Sequence, residues 1–145
     1  MQKIRTVKHP KFITKDHNNN ENGFLVPIFN TKEKFFLDGE DPQQVYLTSV
    51  KPGSIKGPHL HFIRRGFFTC IKGNVRIILK VEGKYHEFFS GEDYEYLSVE
   101  IPTGVSAAVE CLGPEEALIL NMPFPAWDSE MKDEYTDDFR DFFNK

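Results

Sequence analysis

The chain has 145 residues, 39% of them hydrophobic, which suits one folded domain with a real core and is too apolar for a disordered chain. Its formal net charge of −4 argues against a general nucleic-acid binder, and no apolar run approaches a membrane span. Fourteen phenylalanines lean the composition toward pleated, half-buried surfaces.

The opening MQKIRTVKHPKF lacks the apolar core of a signal peptide, so a cytoplasmic protein is expected. The polar DHNNNEN (16–22) reads as a loop. Short strand-like runs then alternate with turn signals. FLVPIF (24–29) is followed by NTKEK, and QVYLTSV (44–50) ends at Pro52-Gly53. HLHFI (59–63) leads through Arg64-Arg65-Gly66 to FFTCI (67–71), which stops at Lys72-Gly73-Asn74. VRIILKV (75–81) and YHEFF (85–89) stand at hairpin distance across Glu82-Gly83-Lys84. YLSVEIP (96–102), SAAVECL (106–112) and ALILNM (117–122) close the series. Strands separated by turns with no helix between them predict an antiparallel sandwich or barrel. After Pro123 the composition changes, and DEYTDDFRDFF (133–143) predicts a short acidic helix with Phe139, Phe142 and Phe143 on one side. Cys70 and Cys111 sit in apolar segments, where buried reduced thiols are expected.

The sharpest feature is GPHLHF. Alternate side chains on a strand share a face, so His59 and His61 are expected to point the same way, about 7 Å apart. Such a pair can bind a metal, act as acid and base, or sit hydrogen-bonded in a core. The setting is basic: from Lys51 to Lys80 there are seven Lys or Arg and no Asp or Glu. A basic stretch in an acidic protein marks either a small-anion site or a solvated strand face.

The order of motifs resembles the cupin superfamily. GSIKGPHLH matches the first cupin motif, a glycine, five residues, then H-x-H, and Gly73 stands where its closing glycine belongs. IPTG (101–104) resembles the second motif, P-x-G. The resemblance spans about residues 23–125 and implies an all-β, antiparallel jelly-roll barrel, here one domain with a C-terminal extension over 126–145 that holds the short helix. Metal-binding cupins usually add a Glu three or four residues after H-x-H, where Arg65 and Gly66 stand, and a His where Ala107 stands. Two of four ligands are missing, so no metal and no other cofactor is expected.

Within the superfamily, KGPHLH resembles the R-G-x-H segment of dTDP-4-dehydrorhamnose 3,5-epimerases. It is closer still to the R-G-x-H-x-H segment of dTDP-sugar 3,4-ketoisomerases, a likeness that runs through CIKGNVRIIL. GFLVPI resembles the first strand of the ketoisomerases, and QVYL places Tyr46 where they carry an active-site tyrosine. The ending IPTGV…EEALILNMP…WDSE…DEY resembles both families. The resemblance implies an isomerase or epimerase of a nucleotide-activated 4-keto-6-deoxyhexose, with a nucleotide-diphosphate sugar as partner. A carbonyl at carbon 4 acidifies the proton on carbon 3; a base removes it, and a donor stabilises the enediolate. By the match His59 is the candidate base, His61 the second acid/base or sugar-orienting group, and Tyr46 a hydrogen-bond donor. Lys56, Arg64 and Arg65, with Arg76, are the candidate substrate contacts, since guanidinium pairs well with phosphate. The epimerases place their acid tyrosine on a late strand, near Leu120 here, so a one-base isomerase or single-centre epimerase fits better than a double epimerase. The alternatives are a cupin module that binds an anionic sugar nucleotide without chemistry, and a metal cupin. The excess of phenylalanines predicts a homodimer in which the N-terminal segment or FLVPIF adds to the partner's sheet.

Overall fold

The computed structural model describes residues 2–33, 35–36 and 39–144. Among these residues twelve strands run in chain order: β1 (Thr6–Lys8), β2 (Phe12–Lys15), β3 (Glu21–Leu25), β4 (Tyr46–Val50), β5 (Ile55–Leu60), β6 (Gly66–Lys72), β7 (Asn74–Val81), β8 (Lys84–Gly91), β9 (Leu97–Ile101), β10 (Ser106–Leu112), β11 (Ala117–Asn121) and β12 (Tyr135–Thr136). A single turn of helix, α1 (Arg140–Phe143), follows. The strands form two five-stranded antiparallel sheets, ordered β1-β9-β6-β11-β4 and β12-β5-β10-β7-β8, with β2-β3 as a separate hairpin. This is the expected all-β cupin-like jelly roll.

Period-two alternation builds the core. On β7, Val75, Ile77 and Leu79 face inward and meet Val50, Val99, Ile101, Val109 and Ile119 from both sheets. The opposite face of the same strand carries Arg76, Ile78 and Lys80, and Ile78 is covered by Phe139. Burying a side chain such as Phe139 stabilises by about 2–3 kcal/mol, so the chain end is bonded to the barrel rather than trailing from it. The β7–β8 turn takes positive φ at both Glu82 (50°) and Gly83 (79°), the twist that a two-residue hairpin needs.

Three boundaries differ from the sequence reading, and each moves a functional residue or a surface. The strand expected over 59–63 runs instead over Ile55–Leu60, so His61 follows the strand rather than lying within it. Its start is possible because Gly57 adopts φ +86° and leaves room for β10: a Cβ there would lie 2.6 Å from the Ala107 carbonyl oxygen. The strand expected over 24–29 occurs as Glu21–Leu25, ending before Pro27, which has no N–H for a ladder; the predicted loop is correspondingly shorter, with Glu21 and Asn22 inside β3. The helix expected over 133–143 shrinks to Arg140–Phe143. Its first half is pulled straight by pairing with β5, Tyr135 opposite Leu60 and Thr136 opposite His59. The Asp137 carboxylate is also bonded by the Ser106 hydroxyl. Tertiary pairing overrides a marginal helix of this length.

Candidate functional site

A cavity of about 320 Å³ lies between the sheets. The two sheets contribute opposite walls: Tyr46 and Thr48 from β4 and Asn121 from β11 on one, Lys56 and His59 from β5 and Ala107 from β10 on the other. His61, Arg64, Arg65 and Glu134 also line it. The structure therefore brings together six of the seven expected site residues. Arg76 does not join them. It occupies the outward face of β7, bonds to Glu87 at 2.9 Å and Glu110 at 3.0 Å, and lies against the Phe142 ring. Strand alternation decides this, because the residues beside it, Val75 and Ile77, fill the core.

The histidines are held from the C-terminal segment. Asp133, buried, accepts hydrogen bonds from the backbone N–H groups of Phe62, Ile63 and Arg64 at 2.9–3.0 Å. Burial opposes its charge, but these three donors hold its carboxyl below the usual carboxylate range. The clasp fixes the turn that carries His61 and Arg64 and delivers the next residue, Glu134, to the imidazoles. Glu134 Oε1 stands 3.5 Å from His59 Nδ1 and 3.7 Å from His61 Nε2. The second distance is not an ion pair. Arg64 Nη2 lies 2.9 Å from His61 Nε2, and a guanidinium can only donate, so that nitrogen is an acceptor. His61 is thus a neutral ring with its proton on Nδ1. Burial, then the Arg64 charge, push its pKa below the ordinary value of 6.5, against the opposite pull of Asp133 and Glu134.

The facing wall orients a hydroxyl. The Asn121 carbonyl oxygen accepts from Phe67 N–H at 3.1 Å, so its amide nitrogen is the group that donates to Tyr46 Oη at 2.7 Å. With one lone pair of Tyr46 so used, its O–H proton is free to be given into the cavity. Leu120, at the position matched to a catalytic tyrosine, belongs to the other face of β11; Ile119 and Asn121 face the cavity. Ala107 sits opposite His59 in the β5–β10 register, contributing a methyl group at the position where metal-binding cupins usually carry a His.

The cations divide. Arg65 bonds to Glu40 and lies 3.7 Å from Glu100, which also binds Arg5. Lys56 Nζ donates to Thr48 Oγ1 at 2.7 Å. Neither Lys56 nor Arg64 has a carboxylate within 4 Å among the described residues. Among those residues, no group of three or more His, Cys, Asp or Glu is arranged to hold a metal. The donor set does not fit the usual cupin metal, because positions 65, 66 and 107 carry Arg, Gly and Ala.

A family model described as WxcM-like, C-terminal (FdtA) matches residues 8–145. The chain belongs to this family. No curated protein matches the sequence. Among solved structures the chain is similar to a dTDP sugar isomerase from Desulfovibrio desulfuricans G20, at 15% identity and TM-score 0.79, over 93% of this chain and 83% of that one. It is similar to the sugar 3,4-ketoisomerase QdtA from Thermoanaerobacterium thermosaccharolyticum, solved with TDP, at 19% identity and TM-score 0.68, over 97% and 90%. It is also similar to ChmJ, a 3'-monoepimerase from Streptomyces bikiniensis solved with dTDP-quinovose, at 14% identity and TM-score 0.75, over 97% and 72%. At these identities the likeness establishes the shared fold. Sequence reasoning missed Glu134, Asp133 and Asn121; the signals were the segments WDSE…DEY and ALILNM, and the place of the first opposite β5 is a tertiary fact.

Proposed function

We propose that the protein is an isomerase or epimerase of nucleotide-linked 4-keto-6-deoxyhexoses that works by proton transfer beside the keto group. The observation that carries the reading is the grouping of side chains in one cavity: His59 beside Glu134, His61 bonded to Arg64, and Tyr46 turned by Asn121. In this mechanism His59 takes the carbon-3 proton on Nε2, and the Glu134 carboxylate, 3.5 Å from Nδ1, stabilises the imidazolium that forms. The electron pair left on carbon 3 moves into the carbon-4 carbonyl, and the Tyr46 O–H stabilises the resulting enolate oxygen. Protonation of carbon 3 on its other face by a second donor, with the abstracted proton left on His59, gives an epimer. Shift of the carbon-3 hydroxyl proton to the carbon-4 oxygen, with delivery of the His59 proton to carbon 4, gives the 3-keto isomer. Lys56 and Arg64 supply positive charge for the diphosphate. The names of the similar structures, a dTDP sugar isomerase, a sugar 3,4-ketoisomerase holding TDP and a 3'-monoepimerase holding dTDP-quinovose, support this substrate class.

The test is exchange of the carbon-3 proton in heavy water with a thymidine-diphosphate-linked 4-keto-6-deoxyhexose. Exchange by the native chain is expected. Binding without exchange would leave a binding module instead.

The reading includes a homodimer. Phe12, Ile13, Phe24 and Leu25, all 51–53% exposed, stud a hairpin that joins neither large sheet. Among the described residues β4 ends its sheet, with exposed Leu47 on it and exposed Val45 just before it. A hairpin from one copy laid along β4 of the other would cover both liabilities. Light scattering is expected to give twice the chain mass at micromolar concentration; a monomer would overturn this assignment.

A further inference from the structure

Residues 133–143 run from the cavity to the outer face of the barrel and are pinned at two points. Over 133–139 only the two end residues are buried, Asp133 at 3% exposure and Phe139 at 2%. Asp133 is held at the cavity by the N–H groups of Phe62, Ile63 and Arg64. Phe139 is held on the far side, where it packs on Ile78 of β7 and Ala108 of β10, with the Tyr85 ring edge-on at 5.0 Å. Ala107 lines the cavity and Ala108, the next residue, faces outward, so one sheet separates this anchor from the imidazoles. Between the pins lies Glu134, its side chain 57% exposed and its carboxylate reaching His59 and His61. The rest of the attachment is thin. Tyr135 and Thr136 pair with Leu60 and His59, the Asp137 N–H donates to the Pro58 carbonyl at 3.1 Å, and the Ser106 hydroxyl donates to the Asp137 carboxylate. Two paired residues are a marginal strand, so the burial of Phe139 decides how firmly the segment stays docked.

We propose that residues 133–143 act as a strap and that Phe139 is a positioning residue for proton transfer, setting the approach of Glu134 to His59 from the outer face of the barrel. The inference takes its reaction from the function proposed above and adds what keeps that site assembled. Asp133 fixes the backbone on one side of Glu134 and by itself leaves the residue free to swivel. Pairing of Tyr135 with Leu60 fixes the other side, and strand geometry then sets which way the Glu134 side chain is directed. Without the Phe139 ring that pairing has little apolar area behind it. The docked fraction falls, and the rate falls in proportion to it. Each undocked molecule lacks the carboxylate that stabilises the His59 imidazolium.

The test is a double-mutant cycle on carbon-3 exchange with the native chain, Phe139→Ala, Glu134→Gln and the double variant. Phe139→Ala is expected to lower kcat about ten-fold, and Phe139→Leu, which refills much of the site, to recover most of the loss. The double variant should exchange no more slowly than Glu134→Gln alone, because Phe139 acts through that carboxylate. Losses that multiply would mark general damage and overturn the proposal. Ser106→Ala, which cuts the bond to Asp137, should show a smaller loss with the same non-additivity, and it carries the cycle if Phe139→Ala does not fold. Exchange at the native rate by folded Phe139→Ala, or by Ser106→Ala where it stands in, would overturn the strap and leave the isomerase standing. The imidazole NMR signals of His59, assigned with His59→Asn, need no sugar. They should move alike in Phe139→Ala and Glu134→Gln. If they do and no 4-keto sugar exchanges, the strap stands and the isomerase reading falls. If Phe139→Ala leaves them in their native positions, the strap falls whatever the sugar does.

Discussion

Arg64 and Arg65 are neighbours in the chain and belong to two electrically different regions. Arg65 is one link in a closed set, Arg5–Glu100–Arg65–Glu40, in which every charge has an opposite partner. Arg64, one residue earlier, meets an uncharged imidazole nitrogen and a cavity. The comparison separates cations that the fold consumes from cations that it leaves for a ligand. A basic stretch in a sequence counts both alike; only the carboxylates brought from elsewhere in the chain tell them apart.

The largest expected effect tests the cavity side. His59→Asn keeps a polar side chain of similar size and removes the base, so carbon-3 exchange should fall about 100- to 10,000-fold, with nucleotide binding retained by calorimetry. Exchange at the native rate would remove His59 from the role, and loss on His61→Asn alone would reverse the two histidines.

Next comes the paired region. Arg65→Ala removes the guanidinium that bonds Glu40 and lies 3.7 Å from Glu100, leaving the 5% exposed Glu100 paired by Arg5 alone. Glu100 keeps its two bonds from Arg5 and Glu40 is partly exposed, so the loss is expected at about 1–2 kcal/mol, below that of a fully broken buried pair. Thermal melts should place Arg65→Ala well below the native chain and Arg64→Ala within about 0.5 kcal/mol of it. Equal losses would erase the distinction between the two arginines.

A smaller effect follows from pH. His61 is neutral in the folded state with a pKa below 6.5, so the unfolded chain binds the extra proton first. Its contribution is intact above about pH 6.5 and is lost as the pH falls through the window between 6.5 and the lower folded value. His9, buried against Ser98 and likewise lowered by burial, acts in the same direction. Melting temperature should drop on acidification below pH 6.5, and His61→Asn should shallow that drop. An unchanged slope in both His61→Asn and His9→Asn would contradict the assignment.

The smallest expected effect is none. Chelator treatment should leave carbon-3 exchange unaltered, because Arg65, Gly66 and Ala107 cannot replace the ligands a cupin metal needs. Activity lost to chelator and restored by a divalent ion would overturn the metal-free mechanism.

By itself the sequence determined the β architecture, most strand positions and the two histidines. Alternation of apolar residues and turn chemistry at sites such as Glu82-Gly83 act over a few residues, and so they can be read locally. Lys56 and Tyr46 came through by another route, as positions matched to the epimerase and ketoisomerase families, and Lys56 lay outside the strand expected over 59–63. Tertiary structure alone decided what those groups do. Glu134 reaches His59 because β12 pairs with β5, which also straightens a segment that alone had helical spacing. Asn121 turns Tyr46 because β11 lies beside β4. Arg65 and Arg76 are neutralised by carboxylates from distant strands and loops. Hydrogen-bond direction, protonation state and charge pairing depend on groups within a few ångströms in space, and no pattern along one strand records which distant residue arrives there.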